Sequence, residues 1–116
     1  MVNLTHKLEH INKKAAVFHL SGKILTKDDF EEVRKDINES IECKYLQFVL
    51  CLTELDYMNS TGLSFLISSF TKVKNNGGRL VICDISKKVK ELITITKLNT
   101  IIGVYNSVDE AIQGFD

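Results

Sequence analysis

The segment Asp56-Tyr57-Met58-Asn59-Ser60-Thr61-Gly62 holds the residues of this chain best suited to chemistry. Two hydroxyls stand between an amide and a glycine, just ahead of an apolar run with helical spacing at Leu63, Leu66, Ile67 and Phe70. A helix start leaves amide N–H groups without internal partners and concentrates positive potential, so it holds a hydroxyl oxygen or a phosphate with little further help. A serine there can cap the helix, or it can carry a phosphate that the fold accepts without rearrangement. Local spacing alone favours capping by Asn59, Ser60 or Thr61, with Gly62 fitting a tight first turn.

The remaining reactive side chains give weaker signals. Cys43, Cys51 and Cys83 are odd in number and widely spaced, which fits neither a disulfide framework nor a paired C-x-x-C site. Cys51 and Cys83 lie in apolar runs and read as small buried hydrophobes. His6 and His10 are four apart, a metal-pair spacing on a helix, but on a strand it only places both on one face. No metal ligands and no cofactor are expected. Nor are catalytic residues: the chain has no glycine-rich nucleotide fingerprint, no P-loop, and no histidine that the sequence places near Ser60.

The elements that position this segment follow from periodicity. Leu4, His6, Leu8 and His10 alternate with polar residues, predicting a polar first strand at an edge or with one face to water. Ala15 to Leu20 reads as a second short strand closed by Ser21-Gly22. Thr26 stands as a cap ahead of an amphipathic helix with Phe30, Val33, Ile37 and Ile41 on one stripe. Tyr45 to Leu52 is nearly continuous in apolar residues, as for a strand covered on both faces. The candidate segment then leads into a helix through about Lys74, which Asn75-Asn76-Gly77-Gly78 ends.

Arg79 to Asp84 reads as another buried strand. Ser86 opens a third helix through about Lys97, with Val89, Leu92, Ile93 and Thr96 inside. Val104-Tyr105 makes a brief last strand, and Ser107 with Glu110 has capping-box spacing before a short helix with Ala111, Ile112 and Phe115. Strands alternating with helices predict an α/β sandwich, parallel in its later part, with a hairpin at the start. Ser60 then falls at the carboxyl end of a strand, where open α/β sheets place functional loops.

Composition narrows the class. At 116 residues and 44% hydrophobic content, residues 1–116 read as one domain. The 15 basic and 15 acidic residues cancel, so no global field draws the protein to nucleic acid or an anionic membrane, and partners must be recognised locally. No stretch approaches the roughly 20 apolar residues that cross a bilayer, and Met1 to His10 holds no signal-peptide core, so a cytoplasmic protein is expected.

The stretch from Leu55 to Asp84, LDYMNSTGLSFLISSFTKVKNNGGRLVICD, resembles the central block of the STAS domain, found in sulfate transporters and anti-sigma-factor antagonists. In those antagonists the loop usually reads M-D-S-[ST]-G-L and the serine after the aspartate is phosphorylated; Ser60 matches it, followed by Thr61 and Gly62. The L-S-G strand end at Leu20 to Gly22, the amphipathic helix and the G-G-x-L-V-I segment match in order. The fold this implies is a STAS-like sandwich, a four- to five-stranded mixed sheet with about four helices.

Two departures stand out. Asn59 replaces the usual aspartate, removing a negative charge beside the phosphoacceptor. The turn after Gly22 also lacks the aspartate that many antagonists use toward the partner, leaving Asp28 and Asp29 as the nearest substitutes.

The resemblance implies a partner switch. The unmodified protein binds a kinase-type anti-sigma factor through Met58, Asn59, Ser60, Thr61, Gly62 and Leu63 and displaces the sigma factor. The kinase phosphorylates Ser60 with ATP and ends the contact, and a serine phosphatase resets it. Leu63 also begins the inner stripe, so a core role competes with a surface one. The alternative is an unphosphorylated STAS subunit supporting the ATPase of a lipid-transport ABC system, with the same loop making interface contacts. Neither reading involves direct nucleic-acid binding or membrane insertion.

Overall fold

The computed structural model describes residues 3–11 and 13–115, so Met1 and Val2 of the N-terminal alternation lie outside the described residues. Five strands form one sheet: β1 (Leu4–Ile11), β2 (Ala15–Ile24), β3 (Gln47–Met58), β4 (Arg79–Cys83) and β5 (Gly103–Tyr105), in the spatial order of the sequence. β1 pairs antiparallel with β2 and every later pair is parallel. The polar first strand is therefore an edge, and the sheet is mixed with an initial hairpin, as the sequence predicts.

The crossovers are α1 (Glu31–Glu42), α2 (Ser60–Asn75) and α3 (Lys87–Ile95), and α4 (Val108–Gln113) follows β5. Strands that progress steadily in one direction, joined by right-handed crossovers, put all the crossing helices on one face. The larger core fills that face: Phe18, Leu20, Phe48, Leu50 and Leu52 of the sheet meet Val33, Ile37, Phe65, Leu66, Val89 and Ile93 of the helices. Residues of opposite parity, Val17, Val49, Cys51, Val81 and Cys83, form a smaller core with Ala111 of α4. This two-sided cover explains the unbroken apolar run of β3.

Two strands run further than their hydrophobic pattern suggests. β2 continues through Ser21-Gly22 to Ile24, and β3 continues beyond Leu52 to Met58. The reason is a pair of register shifts, between His19 and Ser21 and between Gly22 and Lys23. Extra residues on β3 break the two-residue alternation, so the buried positions become Leu52, Leu55 and Met58 and the segment reads as loop. Gly22 has φ +109, and a Cβ there would collide with the Asn3 carbonyl oxygen, so glycine is required.

The capping signals hold with local changes. Thr26 precedes a 3-10 turn at Lys27–Phe30 that leads into α1. α2 ends at Asn75, where Gly77 at φ +84 donates its N–H to the Lys74 carbonyl and Gly78 donates to Val73. That is the Schellman arrangement. Ser86 and Ser107 accept from the N–H groups of Val89 and Glu110, while the Glu110 carboxylate accepts from Asn106 rather than from the cap residue.

Two stripes need correcting. Ile67 of α2 is exposed, and the inner face is Gly62, Phe65, Leu66, Ser69 and Val73. Thr96 is exposed just beyond α3, whose buried residues are Val89 and Ile93.

Candidate functional site

β3 ends at Met58, α2 begins at Ser60, and Asn59 alone forms the junction. Asn59 has extended backbone, and its carbonyl accepts the N–H groups of Gly62 (3.0 Å) and Leu63 (3.2 Å). Its side-chain oxygen accepts from the Thr61 N–H at 3.0 Å. The capping residue is thus Asn59, which leaves the Ser60 hydroxyl free of that task. Ser60, the first helical residue, is exposed at the carboxyl end of β3. Its alcohol thus stands exposed at the positive end of a 16-residue helix.

Asn59 does more than cap. Its Nδ2 donates to the Leu25 carbonyl at 3.0 Å, and its backbone N–H donates to the Ile24 carbonyl at 3.3 Å. The β2 end and the α2 start are therefore fastened side by side. Aspartate at this position could still cap, but it has no proton for Leu25.

The candidate acidic residues of the neighbouring turn separate. Asp28 is exposed, whereas Asp29 is buried and turned inward. The Asp29 carboxylate accepts from the N–H groups of Asn3 (2.9 Å), Leu25 (2.9 Å) and Thr26 (3.0 Å). These donors, Asn3 first, lower its pKa from an ordinary 3.8 to about 2 against the opposing effect of burial. Asp29 is thus a brace for the Leu25-Thr26 turn, not a surface substitute for a partner-facing aspartate.

The other loop residues divide by exposure. Met58 is only 2% exposed, which corrects the expectation that it stands on the surface as a contact residue. Gly62 is buried too, and a Cβ there would meet the Met58 Cβ at 2.6 Å. Both shape the site from beneath. Asn59, Thr61 and Leu63 are partly exposed, and Leu63 packs against the larger core.

Beside Ser60 an open, mainly apolar cleft runs between the start of α2 and α3, lined by Tyr57, Leu63, Val89, Leu92 and Ile95, with Lys88 also in its wall. Tyr57 is 47% and Ile95 78% exposed. The sequence pattern did not point to the α3 contribution. The one signal was Ile95, an isoleucine that falls outside the inner stripe of its helix. Lys23, Lys87 and Lys88 line an adjoining notch with Asp56 and Tyr57, and Glu91 joins Lys88 in the cleft wall, so the surroundings of Ser60 are apolar with a charged margin of both signs.

The other candidates sit elsewhere. His6 contacts Asp36 at 2.6 Å, His10 stacks on Tyr45 with centroids 4.3 Å apart, and His19 approaches Glu9 at 3.5 Å. Cys43 is exposed, while Cys51 and Cys83 are buried as their apolar context predicts. Among the described residues no helix is long and apolar enough to cross a membrane.

The chain is similar to known proteins along most of its length. The "Anti-sigma F factor antagonist" of Paenibacillus polymyxa is 28% identical over 109 residues, 91% of this chain and 90% of the relative. The solved structure of the anti-sigma factor antagonist SpoIIAA in its unphosphorylated form superposes with a TM-score of 0.80 at 19% identity, covering 96% of both chains. The Bacillus cell fate determinant SpoIIAA in its phosphorylated form gives 0.75 at 18% identity, covering 97% of this chain and 100% of that one. At these identities the two structures speak for the fold. The sequence model of the STAS domain matches residues 6–111, and on that match the protein belongs to the STAS domain family.

Proposed function

We propose that this chain is an anti-sigma-factor antagonist, a single STAS domain acting in the cytoplasm as a partner switch controlled at Ser60. The unmodified face around Ser60 docks on a kinase-type anti-sigma factor. That kinase transfers the γ-phosphoryl group of ATP to the Ser60 oxygen, releasing ADP and a proton, and a serine phosphatase restores the alcohol. The chain itself performs no catalysis in this scheme.

The observation that carries the reading is the exposed Ser60 hydroxyl at the start of α2, freed from capping by Asn59 and set beside an open apolar cleft. A phosphoserine brings about −1.5 to −2 charges at neutral pH. The helix terminus steadies that charge in the free protein, but inside a packed contact against Tyr57, Leu92 and Ile95 the same group obstructs by bulk and desolvation. The STAS loop resemblance and the likeness to the Paenibacillus polymyxa antagonist support the choice of partner.

The test is incubation with ATP and the candidate anti-sigma kinase, followed by mapping of the phosphate by mass spectrometry. Phosphate on Ser60 is the expected result. Failure with every candidate kinase, together with stable association with a transporter ATPase, would replace this reading with that of an unphosphorylated STAS subunit.

A further inference from the structure

The parallel register of β3 and β4 sets Cys51 directly beside Cys83. Their side chains emerge on the same face, toward the smaller core. Asp84 follows at the strand end with φ 52, a left-handed conformation. The two sulfurs and one carboxylate oxygen all lie within 4.8 Å of one another, and the Cys51 sulfur is 4.0 Å from the Asp84 Oδ2. We propose that Cys51, Cys83 and Asp84 form a binding site for a thiophilic divalent cation of tetrahedral preference, zinc being the case that fits best.

Geometry and donor chemistry both point that way. With Zn–S bonds of about 2.3 Å, two thiolates on one tetrahedral ion stand about 3.8 Å apart, so the ligand set needs to contract by no more than about 1 Å. Two sulfurs exclude calcium and magnesium, which take oxygen ligands, whereas sulfur with one carboxylate oxygen suits zinc. Binding displaces the thiol protons, so it strengthens as pH rises.

Of the three ligands, Asp84 is the one that reaches a cleft, while Cys51 and Cys83 are buried beneath it. Asp84 lines a cleft between α3 and β5 together with Thr53, Lys90 and Tyr105, and the Thr53 hydroxyl is 3.4 Å from the Cys51 sulfur. The Thr53 hydroxyl is thus the nearest protein oxygen to serve as a fourth ligand. Two thiolates and a carboxylate leave one net negative charge on a divalent ion, and Lys90 in the cleft wall opposes it. The expectation of no metal rested on linear spacing, which holds no information about neighbouring strands.

Titration of the full chain with Co2+ under anaerobic, reducing conditions tests the site, using Cys43→Ser to remove the exposed thiol. The expected result is one equivalent bound with thiolate-to-cobalt charge transfer and the strong visible bands of a tetrahedral ion, all lost on adding Zn2+. Cys51→Ala/Cys83→Ala should abolish the charge transfer. Asp84→Asn, which tolerates the left-handed backbone, should keep the fold and weaken binding by at least the about 10-fold that loss of an outer-shell partner costs. Absence of charge transfer at saturating Co2+, its survival in the double alanine variant, or unchanged affinity in Asp84→Asn would each overturn the proposal.

Discussion

The cap of α2 falls to Asn59 and not to Ser60. Asn59 supplies the capping oxygen, so the Ser60 alcohol is spare. Ser60→Ala should therefore keep partner binding and fold while losing phosphorylation, and Ser60→Asp should weaken binding, as read by titration against the purified anti-sigma factor. Equal affinity of Ser60→Asp and wild type would count against charge as the switch. Asn59→Asp sets two effects against each other. A carboxylate near a helix start gains about 0.3–1 kcal/mol, but the hydrogen bond to the Leu25 carbonyl, worth about 0.5–1.5 kcal/mol, is lost and replaced by two facing oxygens. The loss outweighs the gain once the two facing oxygens are counted, and urea unfolding at neutral pH should show the variant less stable by a few tenths to about 1 kcal/mol. A variant more stable than wild type would show that the clip to Leu25 is worth less than the charge gain at the helix start.

The turn after β2 and the start of α2 behave as one fastened unit, because Asp29 holds the Leu25 N–H while Asn59 holds the Leu25 carbonyl. The folded pKa of Asp29 is depressed to about 2, so its contribution to stability is full above the ordinary value of 3.8 and is lost as pH falls toward 2. Wild type should therefore lose stability between about pH 4 and pH 2 more steeply than Asp29→Asn, measured by denaturant midpoints across that range. Parallel curves would show that Asp29 does not govern this acid sensitivity. The face of α2 gives a second check. Leu66→Ala, in the core, should cost about 2–5 kcal/mol, and Ile67→Ala, on the exposed side, no more than about 0.5 kcal/mol. Similar costs in thermal or urea unfolding would refute the assigned inner stripe. The spacing of Leu63, Leu66, Ile67 and Phe70 in the sequence put Ile67 on the inner stripe, whereas packing centres that stripe on Phe65, Leu66 and Val73, with Leu63 and Phe70 at its margin.

Across the molecule the two faces of the sheet are unequally covered. Three helices bury one face, while the described part of the other rests on α4, only six residues long. A helix of that length has little stability of its own and depends on packing. Hydrogen exchange should accordingly show α4 and β5 opening locally, with β3 amides exchanging only through global unfolding. Uniform protection across these elements would contradict that hierarchy. The amino-acid sequence by itself determined the order and kind of the main elements, the two-sided burial of β3 and the loop that carries Ser60. Those follow from local periodicity and turn chemistry, which act over a few residues. Only the tertiary structure decided the extended ends of β2 and β3, the inward turn of Asp29, the clasp of Asn59 on Leu25, and the pairing of Cys51 with Cys83. Each of these depends on register between strands or on contacts between segments distant in the chain, and a linear pattern holds no record of which residue will lie opposite which.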